Sequence, residues 1–392
     1  MSTGIDVDRA RRETPGCAGV LHFNHAGASL MPQCVLDAHV AHLRLEAEMG
    51  GYEAFDREQE RLEHFYDAAA RLLNCDRDEI AFIENATRAW DMAFYSLQFR
   101  PGDRILTAAN EYASNYIAFL QTAARTGARV EVVPSDRDGQ ISVAALREMM
   151  DDRVKLIALT HVPTNGGLVQ PAQAVGAVAR ETGVTFLLDA CQSAGQLPLD
   201  VRSLGCDILS ATGRKFLRGP RGTGVLYVKR ELAERIEPVF LDLHAATWTA
   251  SDRYEIEPAA KRFENWEQNF AGKLGLAAAI DYALAWGLDN IRSRVWALAD
   301  RLRGMMIDIP GVRVRDLGVE KCGIVTFTIE GRDPVRIKRE LAQRKINVTV
   351  SEESGTRLDM SARGIPAMVR ASVHYFNTEE EILRFCQAIR EI

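Results

Sequence analysis

The chain has 392 residues, 47% hydrophobic and 26% charged, with a formal net charge of −6; this is a globular balance on a length that exceeds one ordinary core, so two units, or one large unit with an appendage, are expected. The acidic excess speaks against general nucleic-acid binding, and no apolar run approaches the roughly 18 residues that would span a bilayer. Seven cysteines, at 17, 34, 75, 191, 206, 322 and 386, form no C-x-x-C pair, which reads as reduced thiols rather than a disulfide framework or a zinc site.

The opening MSTGIDVDRARRE is polar and lacks the apolar centre of a signal peptide, so a cytoplasmic protein is expected. Residues 1–20 are expected to form an arm that packs with a smaller C-terminal unit. His39 and His42 stand at helical spacing, but one helix face explains them and no metal site is expected. From about residue 80, short apolar runs alternate with amphipathic stretches. The runs are AFIE (81–84), RILTA (104–108), RVEVV (129–133), KLIALT (155–160), VTFLLD (184–189), CDILSA (206–211) and GVLYV (224–228). Between them lie helical patterns over 112–125, 142–150 and 172–181. Such alternation predicts an α/β unit over 21–270, with a mainly parallel seven-stranded sheet covered on both faces. From about 271 the pattern changes to long helices over 273–286 and 290–306. Strand-like GIVTFTI (323–329), a helix over 334–344, INVTV (346–350), VRASVHY (369–375) and a last helix follow. Thr378 and Glu381 are spaced as a capping box for that last helix. Residues 271–392 are therefore expected to form a smaller α+β domain.

Ligands of parallel sheets gather at the carboxyl ends of the strands, so polar groups there carry the functional reading. KLIALT runs into His161 and VPTNGG, VTFLLD ends in Asp189 followed by Ala190, Cys191 and Gln192, and CDILSA runs into Thr212 and Lys215. A carboxylate at a buried strand end needs a cation or donors to stay ionised, and a lysine at the same edge makes the reciprocal demand. The stretch SATGRKFLRGPRGTG (210–224) matches neither phosphate-binding glycine fingerprint, so another chemistry is required. Pyridoxal phosphate meets it. The lysine forms the Schiff base, the aspartate keeps the pyridine nitrogen protonated so that the ring acts as an electron sink, and glycines let backbone approach the phosphate.

At these residues the chain resembles the class V aminotransferase-like branch of fold type I pyridoxal-phosphate enzymes, which includes cysteine desulfurases, selenocysteine lyases, isopenicillin N epimerase-like proteins and cysteine-sulfoxide lyases. The resemblance runs from HFNHAGASLMP (22–32) through ENATRAWDMAF (84–94), THVPTNGGLVQP (160–171), LLDACQSAGQLPLDV (187–201) and the lysine loop to VRASVHYFNTEEEI (369–382). It implies that Lys215 is the Schiff-base lysine and general acid-base, that Asp189 pairs with the pyridine nitrogen, and that Gln192 donates to the phenolic oxygen. Ala86, Thr87 and Thr212 would form the phosphate cup, Thr87 near a helix N-terminus. Arg370 would clamp the substrate carboxylate, with Asn24, His25, Asn165 and His374 on the substrate side. A homodimer with shared active sites acting on a small amino acid is also implied.

Three departures from the family pattern bear on function. Arg214 stands where desulfurases of this branch have a histidine before the lysine, and a permanent cation can still bind phosphate. Glu111-Tyr112 replaces their E-H pair; Tyr112 can stack on the pyridine face but cannot shuttle a proton near neutral pH. The segment SEESGTRLDMSARG (351–364), where desulfurases carry a persulfide-forming cysteine, has none. A sulfur relay would then need Cys191 or Cys322, both of which read as structural thiols. In addition, the partner-subunit threonine of the family's E-x-G-T-P-N stretch is replaced within Glu264–Asn269, so Glu267 is expected to point away from the phosphate and Asn265, Trp266 or Gln268 to shape the pocket. β-Elimination from a cysteine-derived substrate suits this set best. Epimerisation and transamination use the same carbanion and stay open, as does an inert binding protein of this fold.

Overall fold

The computed structural model describes residues 4–392, so the first three residues of the expected arm lie outside the described residues. Seven strands pair in the order Ile80–Ile83, Gly224–Val228, Ile208–Thr212, Thr185–Asp189, Val154–Thr160, Arg104–Thr107, Arg129–Val132. Every neighbouring pair is parallel except those made by Gly224–Val228, which runs antiparallel to the strands on both sides. The runs are continuously apolar because both faces are covered, and the period of two sends alternate residues to two cores. Phe186 and Leu188 thus join one core while Leu187 joins the other, and Leu209 parts in the same way from Ile208.

Helices Ala86–Tyr95, Ala113–Thr126, Val143–Met149 and Ala172–Thr182 follow strands of this sheet, within a residue or two of the sequence patterns where those were read. Two further helices, Gln33–Met49 and Gly51–Leu73, are divided by Gly50 at φ 101°, a backbone angle that ends the first helix and that side chains rarely allow. Both pack on the helix Phe270–Trp286. That helix lends Leu276, Ala277 and Ile280 to the large core and Ala283 and Trp286 to a second one.

The second core belongs to a four-stranded antiparallel sheet, ordered Val312–Val314, Ile324–Ile329, Ala367–Ser372, Thr349–Glu352, with helices Leu288–Ile307, Pro334–Gln343 and Glu379–Arg390. Thr378 and Glu381 make the reciprocal capping box that their spacing predicts. Ala10, Leu21 and Phe23 join this core, and the short strand Leu21–His22 pairs parallel with Ile346–Asn347. None of the described helices is long and apolar enough to cross a membrane.

One buried residue ties these parts together. Arg218, three residues after Lys215, has φ 64° and is 2% exposed. Its guanidinium donates to Leu30 O at 2.9 Å, to the Tyr375 hydroxyl and to Thr14 Oγ1, and it lies 4.1 Å from the ring centre of Phe376. The lysine loop is therefore fastened at once to the N-terminal segment and to the C-terminal unit.

Candidate active site

The carboxyl ends of the strands Val154–Thr160, Thr185–Asp189 and Ile208–Thr212 open into one cleft of about 580 Å³. Parallel register sets Thr160 beside Asp189 and Asp189 beside Ser210. The cleft wall contains Tyr112, Asp189, Gln192, Thr212, Arg214 and Lys215, six of the residues singled out from sequence, together with Ala86 and Thr87 from the first turn of the helix Ala86–Tyr95. It also contains Asn85, Val162, Thr164, Cys191 and Gly222.

Asp189 is 5% exposed, and both its oxygens are held. Oδ1 accepts from the Cys191 N–H at 2.9 Å and Oδ2 from Asn115 Nδ2 at 3.0 Å. Lys215 is half-buried in the same cleft, and its side chain makes no hydrogen bond or ion pair among the described residues. Burial holds its pKa below the ordinary lysine range; Cys191 and Asp189 oppose this, and the nearby Arg214 and Arg370 reinforce it. An unpartnered amine with a lowered pKa has its free base more accessible, as a Schiff-base nucleophile requires.

The phosphate-binding expectation meets a fitting local geometry. The strand Gly224–Val228 passes so close that a Cβ on Gly224 would lie 3.0 Å from the Asn85 carbonyl carbon and from Ala211 O. A side chain there would push the helix start away from the strand end. The N-cap Asn85 accepts from Arg88 N at 3.0 Å, leaving Ala86 and Thr87 in the turn whose N–H groups have no helical partner. Arg214 donates to Gly27 O, lies near Tyr112 and has no carboxylate partner among the described residues.

Buried polar atoms without partners mark the same region. They include Arg370 Nε, Gln192 Oε1 and Asn24 Oδ1. Gln192 Nε2 donates to Ala26 O at 3.1 Å and keeps a second hydrogen for a ligand. Arg370, 7% exposed, reaches the cleft through Thr164: its Nη1 donates to Thr164 O at 2.9 Å and to Thr164 Oγ1 at 2.8 Å. Burial, and the charge of Arg214 beside it, push its pKa down to about 10. The cations Arg214 and Arg370, without carboxylate partners among the described residues, and the spare hydrogen of Gln192 Nε2 fit an anionic cofactor and an anionic substrate group.

Three residues expected on the substrate side are engaged elsewhere. His25 bonds Ser29 Oγ at 2.8 Å and Asn377 Oδ1 at 3.1 Å, and His374 bonds Phe216 O at 2.9 Å; both are fully buried, behind the cleft. Asn165 donates to Glu352 O and Thr356 Oγ1, each at 3.0 Å, and so braces the segment 352–360. Glu267 and Trp266 are exposed and line a second cavity with Tyr52, Phe55 and Lys261, away from Lys215 of the same chain. Cys322 is buried and its thiol is pushed up to about 11 by burial. Cys191 does line the cleft, but burial, then the Asp189 charge, raise its pKa.

Sequence reasoning missed Glu111 and Asn115 as site components. Their i, i+4 spacing at a helix start was the available signal.

The fold and the cleft define a pyridoxal-phosphate enzyme of fold type I, with Lys215 on the loop after a central strand. Comparison with known proteins agrees: residues 21–385 match the profile of the family Aminotransferase class-V, and the chain belongs to that family of pyridoxal-phosphate enzymes. A probable cysteine desulfurase from Xylella fastidiosa (strain Temecula1) is 30% identical, over 100% of this chain and 96% of its own. Among solved structures, the apo cysteine desulfurase from Thermococcus onnurineus NA1 superposes with a TM-score of 0.91 at 26% identity, covering 98% of this chain and 97% of its own. The cystine C–S lyase C-DES in complex with its reaction product cysteine persulfide gives a TM-score of 0.87 at 26% identity, covering 97% and 99%. A lysine-to-alanine mutant of C-DES has glycine covalently linked to the PLP cofactor; its TM-score is 0.88 at 25% identity, with the same coverage.

Proposed function

We propose that this chain is a C–S lyase that performs β-elimination on a cysteine-derived amino acid without a thiol nucleophile of its own. The carrying observation is the segment 351–364. It holds no cysteine, and it is anchored: Asn165 braces its backbone, and Met360 packs with Ile365 and Met368 in a small buried cluster. A relay would need a reactive thiol on a segment able to reach the substrate. This segment offers neither, and the likeness to a cystine C–S lyase supports the same reading.

When bound, the cofactor holds the substrate amine covalently and acts as an electron sink for the charge left at the α-carbon. The chain's residues do the rest. Ala86, Thr87 and Thr212, with Arg214, would hold the phosphate; Asp189, kept in place by Asn115 and Cys191 N–H, would keep the pyridine nitrogen protonated; Gln192 would donate to the phenolic oxygen; and Tyr112 would pack against the ring. Arg370 takes the substrate carboxylate. Lys215 Nζ would take the α-proton. The β-sulfur then leaves with its bonding electron pair, and hydrolysis gives pyruvate and ammonia. We further propose a homodimer, in which the exposed Trp266 of one subunit lies near the cleft of the other, and the division into domains at about residue 270.

The test is an absorbance scan of the purified holoenzyme and of Lys215→Ala, followed by product analysis with L-cysteine, an S-substituted cysteine and L-alanine. The expected result is a visible cofactor band lost in the variant, with pyruvate and ammonia from the S-substituted substrate. Alanine and sulfane sulfur from L-cysteine would instead identify a desulfurase, and a pyridoxamine-like spectrum an aminotransferase.

A further inference from the structure

The residue with the most hydrogen bonds near the cleft does not touch it. Glu111 is 4% exposed and is absent from the cleft wall, yet five donors converge on its carboxylate. Oε1 accepts from Tyr112 N at 3.0 Å, from Asn115 Nδ2 at 2.8 Å and from the Thr160 hydroxyl. Oε2 accepts from Thr160 N at 3.0 Å and Thr107 Oγ1 at 3.0 Å. Three of these partners lead directly to the cleft. Tyr112 and Thr160 are part of its wall, and the same Asn115 Nδ2 that meets Glu111 also donates to Asp189 Oδ2 at 3.0 Å.

We infer that Glu111 is a positioning residue for the cofactor platform: through Asn115 it orients and electrostatically supports Asp189, and through the N–H groups of Tyr112 and Thr160 it fixes the walls on either side. The inference rests on the family's cofactor and not on which group leaves the substrate. Its physical basis is that one NH₂ group is shared between two carboxylates. Each hydrogen has one acceptor, so Asn115 has a single rotamer that satisfies both, and Asp189 is locked by a residue that is itself locked.

The electrostatics follow from the surroundings. From the strand Arg104–Thr107 comes the Thr107 hydroxyl; from Val154–Thr160, the Thr160 N–H and hydroxyl; from the helix Ala113–Thr126, Asn115; and from Thr185–Asp189, the Asp189 carboxylate. Asp189 is the one charged group among them, and no cation pairs with Glu111 among the described residues. Burial pushes the Glu111 pKa up to about 7, the Thr160 and Asn115 hydrogen bonds hold it down, and the Asp189 charge adds to the rise. Above neutral pH, then, a second negative charge stands behind Asp189 and favours positive charge on whatever faces Asp189 in the cleft.

The experiment is a pH titration of the visible absorbance band of the substrate-free holoenzyme between pH 6 and 10, with cofactor affinity measured by equilibrium dialysis. Wild type is compared with Glu111→Gln, Asn115→Ala and the double variant. We expect the titration midpoint to fall by about 0.5–1 pH unit in Glu111→Gln, from loss of one neighbouring charge. A similar fall in Asn115→Ala with no further fall in the double variant would show that the effect passes through Asn115. Cofactor affinity should weaken by about 3–10-fold. Unchanged midpoints in both single variants would overturn the inference and leave Glu111 as a brace of the fold. If Glu111→Gln fails to fold, Asn115→Ala decides alone on the same readout. No substrate is present, so failure here is distinct from failure of the lyase reading.

Discussion

Replacing Arg370 by methionine separates two things that this residue does at once. Its guanidinium is buried without a carboxylate, and the displacement of its pKa from 12.5 to about 10 corresponds to about 3 kcal/mol by which the folded protein disfavours the charge. Methionine keeps much of the volume and removes that cost. It also strips two hydrogen bonds from Thr164, a loss of about 2 kcal/mol. The net is a stabilisation of about 1 kcal/mol, read as a rise in Tm of about 1–3 °C. Catalysis moves the other way. Two charge-assisted hydrogen bonds to a substrate carboxylate contribute about 3–6 kcal/mol, so kcat/KM should fall by about 10²–10⁴-fold. The assay compares an S-substituted cysteine with its carboxamide, which has no charge for Arg370 to meet. Loss on the acid with less than about a 3-fold change on the amide is expected. Equal losses on both substrates, together with a Tm lowered by several degrees, would refute the carboxylate-clamp reasoning and make Arg370 a packing residue.

Two other predictions concern stability and the anchored segment. His161, 6% exposed, has its pKa lowered by burial from 6.5 to about 4; the unfolded chain therefore takes up a proton below pH 6.5 that the folded one refuses until about pH 4. Stability falls as pH falls through that window, by up to about 3 kcal/mol from this residue, and His161→Gln should flatten the dependence of the urea midpoint between pH 7.5 and 4.5; an unchanged slope would contradict the burial argument. Asn165→Ala removes the Nδ2 contacts to Glu352 O, Thr356 Oγ1 and Met360 Sδ in the 352–360 segment, about 2 kcal/mol, so amide exchange there should speed up about 30-fold while the cofactor band keeps its position. A shifted band with unchanged exchange would mean that Asn165 acts on the cofactor instead.

The parts legible in the sequence were those fixed by short-range physics. Continuous apolar runs gave the seven central strands, and the polar residues that end them gave Asp189, Thr212 and Lys215 in one cleft. Thr378 and Glu381 were readable because a capping box is set by four consecutive residues. His25 and His374 are each satisfied partly by near neighbours, Ser29 and Tyr375 N, and partly by Asn377 and Phe216, 352 and 158 residues away, and no local pattern distinguishes a histidine facing a ligand from one satisfied within the core. Asn165 belongs to a motif next to the cleft, but its amide turns to the 352–360 backbone. Glu111 was visible only as a neighbour of Tyr112. Its five donors come from two strands, Arg104–Thr107 and Val154–Thr160, and from the start of the helix that follows, a convergence that spacing alone does not reveal.

The Arg218 fastening has a consequence for biosynthesis. Its partners, Thr14 and Tyr375, lie 204 residues before it and 157 after it, so the lysine loop cannot acquire its final surroundings until nearly the whole chain has left the ribosome. A nascent chain can build the central sheet early, since all seven strands lie between residues 80 and 228, well before Tyr375. Cofactor capture must wait for the last segment. Truncation shortly before Tyr375 should then leave a chain with native-like secondary structure that does not hold pyridoxal phosphate, which makes the C-terminus a checkpoint between a folded sheet and a working enzyme.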